Sequence, residues 1–291
     1  MPREVSERAR ALLSGEWTPP PLRDASTVVL LREGAGLETF LMRRVETMAF
    51  AAGMHVFPGG RIDEADLTAN IDVTGAPVDA TRMTAGEDLG RGLLVCAARE
   101  LFEETGVLLA VDPSGRSPAE DANWEDDRLA VQTDSAAFAD VLSRRSLVLA
   151  PALMPVWSHW VTPEVESRRY DVRFFVAAVP PGQRARDLSG EADRVLWSPP
   201  QDALRDYAAG TLPMLPPTAA TLSELAEFAT VEAAMAAAPS RQVRPLLPRP
   251  RSLPDGGIGW DLVDARDGSV VVALPSEPAG SEAAGVHGGT G

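Results

Sequence analysis

The stretch AARELFEETGV, residues 97–107, limits what this chain can become more than any other. Read as a helix, it places residues three and four apart on one face. Glu100, Glu103 and Glu104 then project from one side. Leu94, Ala98, Leu101 and Thr105 fall largely on the other, which suits packing against a sheet. Gly106 ends the helix as a left-handed cap does. Three crowded carboxylates repel one another unless a cation neutralises them. Hard divalent ions such as Mg²⁺ take oxygen ligands, usually few of them from protein. Arg99 stands four residues before Glu103 and can hold one carboxylate in place. An isolated Glu-rich helix is more often a solvated face laced with ion pairs, but the compact triplet and the sequence upstream favour an ion site.

That upstream sequence is FPGGRIDEAD, residues 57–66. Pro58, Gly59 and Gly60 make a sharp bend, and glycine lets backbone approach a ligand closely. Alone it is a turn; ahead of a carboxylate helix it can add a backbone carbonyl to a metal shell.

Length and charge narrow the partners. The 291 residues suffice for one large domain with additions or two small ones. The net charge is -15, and every basic residue is arginine. Such a chain is a poor generic binder of nucleic acid or anionic membrane. A compact anion can still be received by local arginines or metal ions. No apolar run approaches the roughly 20 residues that span a bilayer, and the N-terminus lacks the apolar core of a signal peptide. The expectation is a soluble protein. Cys96 is the only cysteine, which excludes internal disulfides and cysteine zinc clusters. Its apolar neighbours, LLVCAA, point to packing.

Along the chain, residues 1–24 read as an arm with a short helix and a Pro-rich connector. Strands are expected at 26–33 and 37–45, and another at 55–63 ending in the Pro-Gly-Gly bend. Residues 67–87 look like an inserted loop, and a helix follows from about 88 to 105. VLLAV continues as a strand, residues 112–135 read as acidic loop, and a helix follows around 135–145. MPVWSHWVTP and YDVRFFVAAV form two antiparallel strands, and EADRVLWSP a short one. PQDALRDYAAG is a helix, and 221–238 a stronger one, started by Thr221 with Glu224 three residues on. An extended segment and a hairpin close the ordered part at about 275, and 276–291 read as disordered tail. Strands and helices mix without regular βα alternation, which favours a mixed α/β sandwich over a doubly wound sheet.

RELFEETGV matches at every defined position the second half of the Nudix box: Arg-Glu-aliphatic-any-Glu-Glu-any-Gly-aliphatic. Gly60 fits the opening glycine. Asp66 stands where the first glutamate belongs, five residues after Gly60. Thirty-two residues separate Asp66 from Arg99, where the box has seven. About 25 residues, at about 67–91, are therefore inserted within the motif. The chain resembles a Nudix hydrolase, and most of all the branch related to the peroxisomal coenzyme A diphosphatase nudix motif 19, whose box is also split. Two further segments resemble that branch. One is the approach from Thr47, Met48, Ala49 and Phe50 to Gly60. The other runs through Trp160, Thr162, Pro163, Arg168, Arg169, Tyr170, Asp171, Phe174 and Phe175.

The resemblance implies a Nudix α/β/α sandwich with a mixed sheet over residues 25–240, an N-terminal arm, and a C-terminal extension at 241–275. It implies hydrolysis of a nucleoside diphosphate linked to another moiety, assisted by Mg²⁺ or Mn²⁺. Glu100, Glu103 and Glu104 would be ligands, with the Gly60 carbonyl completing the shell, and Arg99 would orient a glutamate. Asp66 or Asp63 would replace the missing glutamate. Glu191 would be base or extra ligand, and equally a turn carboxylate. The branch implies coenzyme A or acyl-coenzyme A as substrate, with phosphopantetheine and 3′,5′-ADP as products. Arg43 and Arg44, or Arg168 and Arg169, would meet its 3′-phosphate; paired arginines are more commonly surface charge. Trp157, Trp160, Tyr170 and Phe174 could stack on adenine, though alternating strand aromatics are more often core. His55 and His159 read as structural. ADP-ribose or NADH is the alternative substrate class, and a Nudix-fold binding module without catalysis the alternative of another kind. RNA decapping fits poorly with the acidic chain. A homodimer follows by family analogy alone. The ending HGGTG lacks a Ser-Lys-Leu address, which suggests the cytoplasm.

Overall fold

A computed structural model describes residues 3–46, 51–75, 82–83, 85–186 and 192–273. The chain divides into two compact units. The smaller comprises Met1–Pro21, Val161–Arg169 and Leu246–Gly291, and the larger Leu22–Trp160 and Tyr170–Pro245. The first helix, α1 (Arg3–Ser14), belongs to the smaller unit.

The larger unit opens with an antiparallel hairpin, β1 (Leu22–Glu33) and β2 (Leu37–Arg44), in which Leu31 faces Thr39 and Glu33 faces Leu37. The β-branched and leucine run Val28 to Leu31 is wholly buried. β1 begins four residues earlier than expected. The stretch 55–63 is two strands rather than one: β3 (His55–Val56) pairs with β2, and β4 (Gly59–Arg61) pairs with β1. Pro58 separates them because it has no N–H to donate to a ladder; its carbonyl accepts the Val28 N–H at 2.8 Å.

Next come α2 (Glu64–Thr68) and α3 (Glu87–Thr105). The described residues of the segment inserted between the halves of the motif are packed into the core. Ile71 and Met83 are buried in the main core with Leu93, Leu94 and Leu101 of α3. Arg91 donates to the carbonyls of Ala69 and Ile71. The last residues of the expected insertion are the first turns of α3 itself.

After α3, only the end of VLLAV is strand: β5 (Ala110–Val111) pairs with β6 (Val148–Leu149). The acidic stretch 112–135 contains a helix that the sequence reading missed, α4 (Trp124–Thr133), followed by α5 (Ala137–Arg144). Glu125, Asp126 and Asp127 crowd the first turn of α4, where the positive end of the helix dipole favours them. Then come β7 (Val156–Val161), β8 (Arg169–Ala178) and β9 (Ala192–Ser198). The strand order is β7-β8-β1-β2-β3, with β4 beside β1 and β9 antiparallel to β2.

Helix α6 (Pro200–Ala208) is as expected. The single helix expected at 221–238 is two, α7 (Pro216–Leu225) and α8 (Val231–Ala237). Thr221 is a buried residue inside α7 and caps nothing. α7 starts five residues earlier, with prolines in its first turn, where a missing N–H costs least. The threonine that caps is Thr230, whose hydroxyl accepts the Ala233 N–H at 3.2 Å.

The smaller unit ends in a meander of β10 (Pro245–Ser252), β11 (Ile258–Asp264) and β12 (Val270–Ala273) around Val161, Leu247 and Val263. The tail expected at 276–291 lies outside the described residues. No helix among the described residues is long and apolar enough to cross a membrane.

Candidate active site

The register of β1 and β4 builds the site's floor. Ser26 faces Gly60 and Thr27 faces Gly59. Gly59 is required by backbone contact and by its φ, while a side chain at Gly60 would push the Glu100 carboxylate aside. A Cβ on Gly59, whose φ is +152°, would lie 2.3 Å from the Ser26 carbonyl oxygen, and one on Gly60 would lie 2.3 Å from Glu100 Oε1. The Ser26 hydroxyl donates to the Leu93 carbonyl at 2.7 Å and ties the floor to α3.

α3 ends as expected: Gly106 is left-handed (φ 76°), and its N–H reaches the Phe102 carbonyl at 2.9 Å. Beyond it, Trp124 of α4 donates Nε1 to the Gly106 carbonyl at 2.8 Å and meets Phe102 edge to face. Buried Arg128 donates to the Glu103 carbonyl at 2.8 Å. Neither residue was singled out from sequence; both lie outside the motif, and no local spacing announces them.

Arg99, 2% exposed, organises the carboxylates. Its Nε and Nη2 grip Asp66 at 2.7 and 2.8 Å. Its Nη1 serves two glutamates at once, Glu100 at 3.0 Å and Glu103 at 2.8 Å. Those two oxygens therefore lie within the span of two hydrogen bonds. Glu104 is turned to the floor, where Oε2 accepts the Gly59 N–H at 2.8 Å. The solvated-face reading of the helix is thereby removed, since Glu100 and Glu103 are only 15% and 16% exposed and Glu104 is buried.

Asp66, separated from Gly60 by five residues, is the carboxylate that Arg99 grips. It is buried beneath Arg99, and its second oxygen also accepts the Asp63 N–H at 2.9 Å. The Asp63 carboxylate lies 3.8 Å from Arg61 Nε.

The electrostatics follow from crowding. Burial pushes the Glu100 carboxyl up to about 7, against the pull of Arg99 and with the help of Glu103. Burial also raises Glu103, although Arg99 opposes it. For Arg99, burial works against the charge, but Asp66 and Glu100 outweigh it and hold the guanidinium above its ordinary value. The Cys96 thiol sits 3.6 Å from the Gly60 carbonyl, and burial pushes it well up, which makes it a packed and unreactive group.

This donor set suits a hard divalent cation in kind, being all carboxylate and carbonyl oxygen. One guanidinium stands among Asp66, Glu100, Glu103 and Glu104, so negative charge is in surplus. Among the described residues, no three His, Cys, Asp or Glu side chains are gathered as a ready ligand set. Arg99 Nη1 stands between Glu100 and Glu103, and Glu104 is turned to the Gly59 amide.

The other expected residues are dispersed. Arg43 is at the surface, paired with Asp193 at 2.7 Å, with Arg194 opposite it on β9. Arg44 follows it in β2, and its N–H reaches the Met54 carbonyl at 3.0 Å. Arg168 and Arg169 belong to the smaller unit, where Arg169 donates to the carbonyls of Thr162 and Pro20. Glu191 lies outside the described residues, as do Thr47, Met48, Ala49 and Phe50. Trp157, Trp160 and Phe174 are core: Trp157 packs on Phe228 and beneath Arg241, and Phe174 meets Phe57. His55 and His159 are buried too.

A family model described as the NUDT19 Nudix domain matches residues 79–225. The chain is 26% identical over 237 residues to acyl-coenzyme A diphosphatase NUDT19 of Xenopus laevis, an alignment covering 67% of this chain and 61% of the relative. It is 28% identical over 237 residues to the Gallus gallus protein of the same name, covering 67% and 62%. The chain thus spans about six-tenths of the length of these curated relatives. A solved Nudix hydrolase from Alicyclobacillus acidocaldarius matches with a TM-score of 0.66 at 32% identity, over 74% of this chain and 96% of that one. The expected α/β/α sandwich is the shared fold. With the domain match covering half the sequence and the whole run from Arg99 to Gly106, this chain belongs to the Nudix hydrolases, in the NUDT19 branch.

Proposed function

We propose that this protein hydrolyses the diphosphate of coenzyme A and its acyl thioesters, with Mg²⁺ or Mn²⁺ held by Glu100, Glu103, Glu104 and the Gly60 carbonyl. The observation that carries the reading is the surplus of buried carboxylate around the single guanidinium of Arg99. The printed names of the NUDT19 relatives supply the substrate class. The ion supplies neutralisation of phosphoryl oxygens and a more acidic bound water.

The chain's own groups do the rest. Arg99, anchored on Asp66, aims Glu100 and Glu103. Gly59 and Gly60 leave the floor free of side chains. Glu191 is the proposed acceptor of the water proton. The water oxygen bonds to one phosphorus as the bridging P–O bond breaks, giving phosphopantetheine or its acyl form and 3′,5′-ADP. Arg43 and Arg44, joined by Arg194, form the basic edge assigned to the 3′-phosphate.

Product chromatography tests the reading. The protein is incubated with Mg²⁺ or Mn²⁺ and coenzyme A, acetyl-coenzyme A, ADP-ribose, NADH or a dinucleoside polyphosphate. The expected result is 3′,5′-ADP from the coenzyme A samples. Cleavage confined to ADP-ribose or NADH would discard the substrate class and keep the ion site. Bound metal with no cleavage of anything would leave a binding module.

A further inference from the structure

Beside the Gly59/Gly60 floor, the larger unit has a groove of about 310 Å³ lined by Leu22, Arg23, Asp24, Arg61, Ile62, Leu67 and Leu89. That volume is at the low end of the roughly 300–1,000 Å³ of ligand clefts. Arg61 follows Gly60 directly, so the groove begins one residue from the site. Leu89 lies eleven residues before Glu100 on α3, about 16 Å along the axis. The groove thus has one lining residue next to Gly60 and another well before Glu100 on α3.

Its composition is unusual in two ways. Leu22 and Leu67 are among the few large apolar residues left exposed, at 42% and 45%. Two arginines also line it: Ala25 faces Arg61, and Arg23, two residues before Ala25 on β1, lies diagonal to Arg61. Among the described residues, the carboxylate paired with Arg61 is Asp63, at 3.8 Å, and the Arg61 side chain is 60% exposed. Asp24, the carboxylate in the groove, is already engaged by Arg173 at 2.8 Å. In a chain of net charge -15, such a place suits a ligand with an anionic head and an apolar tail.

We infer that this groove holds the acyl-pantetheine arm of the substrate, an inference that rests on the coenzyme A reading above. Arg61 and Arg23 receive the phosphate end of the arm. Ile62 and Leu89 line its course, and Leu22 and Leu67 cover the acyl chain. The groove therefore sets chain-length preference, separately from the carboxylates that serve the diphosphate.

The test compares kcat/KM for coenzyme A, acetyl-, octanoyl- and dodecanoyl-coenzyme A, using the full chain with Mg²⁺. The variants are Leu22→Asp, Leu67→Asp and Arg61→Gln, each checked for an unaltered melting transition. Either leucine variant should lower the dodecanoyl-to-acetyl ratio of kcat/KM by about tenfold, and Arg61→Gln should raise KM for every thioester. Because both leucines are exposed, Leu67→Ser and Leu22→Ser serve if the aspartates fail to fold. If the wild type cleaves these substrates but no variant moves the ratio or KM, the groove has no such role and the coenzyme A reading stands. If the wild type cleaves none of them, that reading fails and takes this inference with it.

Discussion

Two clusters of buried charge lie in the larger unit, and they differ in how far carboxylate outnumbers guanidinium. Around Arg99, one guanidinium faces Asp66, Glu100 and Glu103, with Glu104 close by on the Gly59 amide. Around Arg173, the surplus is smaller, with one guanidinium against two carboxylates. Its guanidinium bonds Asp24 at 2.8 Å and lies 3.1 Å from Asp171, while His159 contacts Asp171. It also donates to the Met83 carbonyl at 3.1 Å, fastening the end of the inserted segment to β8. A cluster with a smaller surplus, fully hydrogen-bonded, can serve as structure alone. An unbalanced one at low exposure asks for a counter-ion that the protein does not itself contain, which is why perturbed carboxylates mark functional sites.

The contrast is open to direct attack. The largest effect belongs to the unbalanced cluster. Glu103→Gln and Glu104→Gln should each lower release of 3′,5′-ADP at least about 10²-fold while leaving the melting temperature near that of wild type. Near-normal turnover in both variants would mean the ion is held elsewhere. The Arg173 cluster should behave in reverse. Arg173→Leu leaves partly buried carboxylates and the Met83 carbonyl without their partner, and should cost about 3 kcal/mol of stability in urea unfolding. A large loss of kcat with unchanged stability would assign Arg173 to the chemistry instead.

Asp66→Asn sits between the two. It should lower kcat roughly tenfold by loosening Arg99, with KM much less affected; equal losses in stability and activity would make Asp66 merely structural. A smaller and reversible effect should come from Mg²⁺ itself. At about 100 times its Kd the ion should add about 2.7 kcal/mol, read as a rise in melting temperature. EDTA should reverse the rise, and the Glu103→Gln variant should lack it.

The smallest effect is on pH. Burial lowers the His159 pKa despite its contact with Asp171, and the Asp171 carboxyl is itself lowered by His159 and Arg173 against burial. In both cases the unfolded chain binds the proton more readily, so stability rises with pH across each step. The contribution of His159 should be lost as pH falls below about 6.5, and that of Asp171 as it falls below about 3.9. Asp171→Asn should flatten the lower step in pH-dependent urea melts; an unchanged profile would show that Asp171 is not the group responsible.

Much of this was legible because it is local. The spacing in RELFEETGV places its carboxylates on one helix, and Gly106 ends that helix where the sequence says it should. The β1–β2 hairpin, β9, α5 and α6 follow from runs and turns of a few residues. The missed elements had competing local signals. TLSE at 221–224 imitates a helix start, but the prolines at 216 and 217 mark the true one. The acidic run before Ala130 imitates loop, although Glu125, Asp126 and Asp127 also suit a first turn around the core anchor Trp124. Glycine spacing announced a bend at residues 58–60, whereas the ladder to β1 makes Gly59 and Gly60 part of a strand.

By itself, then, the sequence determined which groups could make an ion site, since helical periodicity acts over three or four residues and needs no partner. Only the tertiary structure decided how those groups are held. Asp66 and Arg99 are 33 residues apart and meet because β4 and α2 fold back along α3. Arg173 and Asp24 are 149 apart and meet through β8 and β1. Spacing along the chain carries no record of such pairings, because they are made by strand register and by the burial of Ile71 and Met83, which draws the inserted segment into the core.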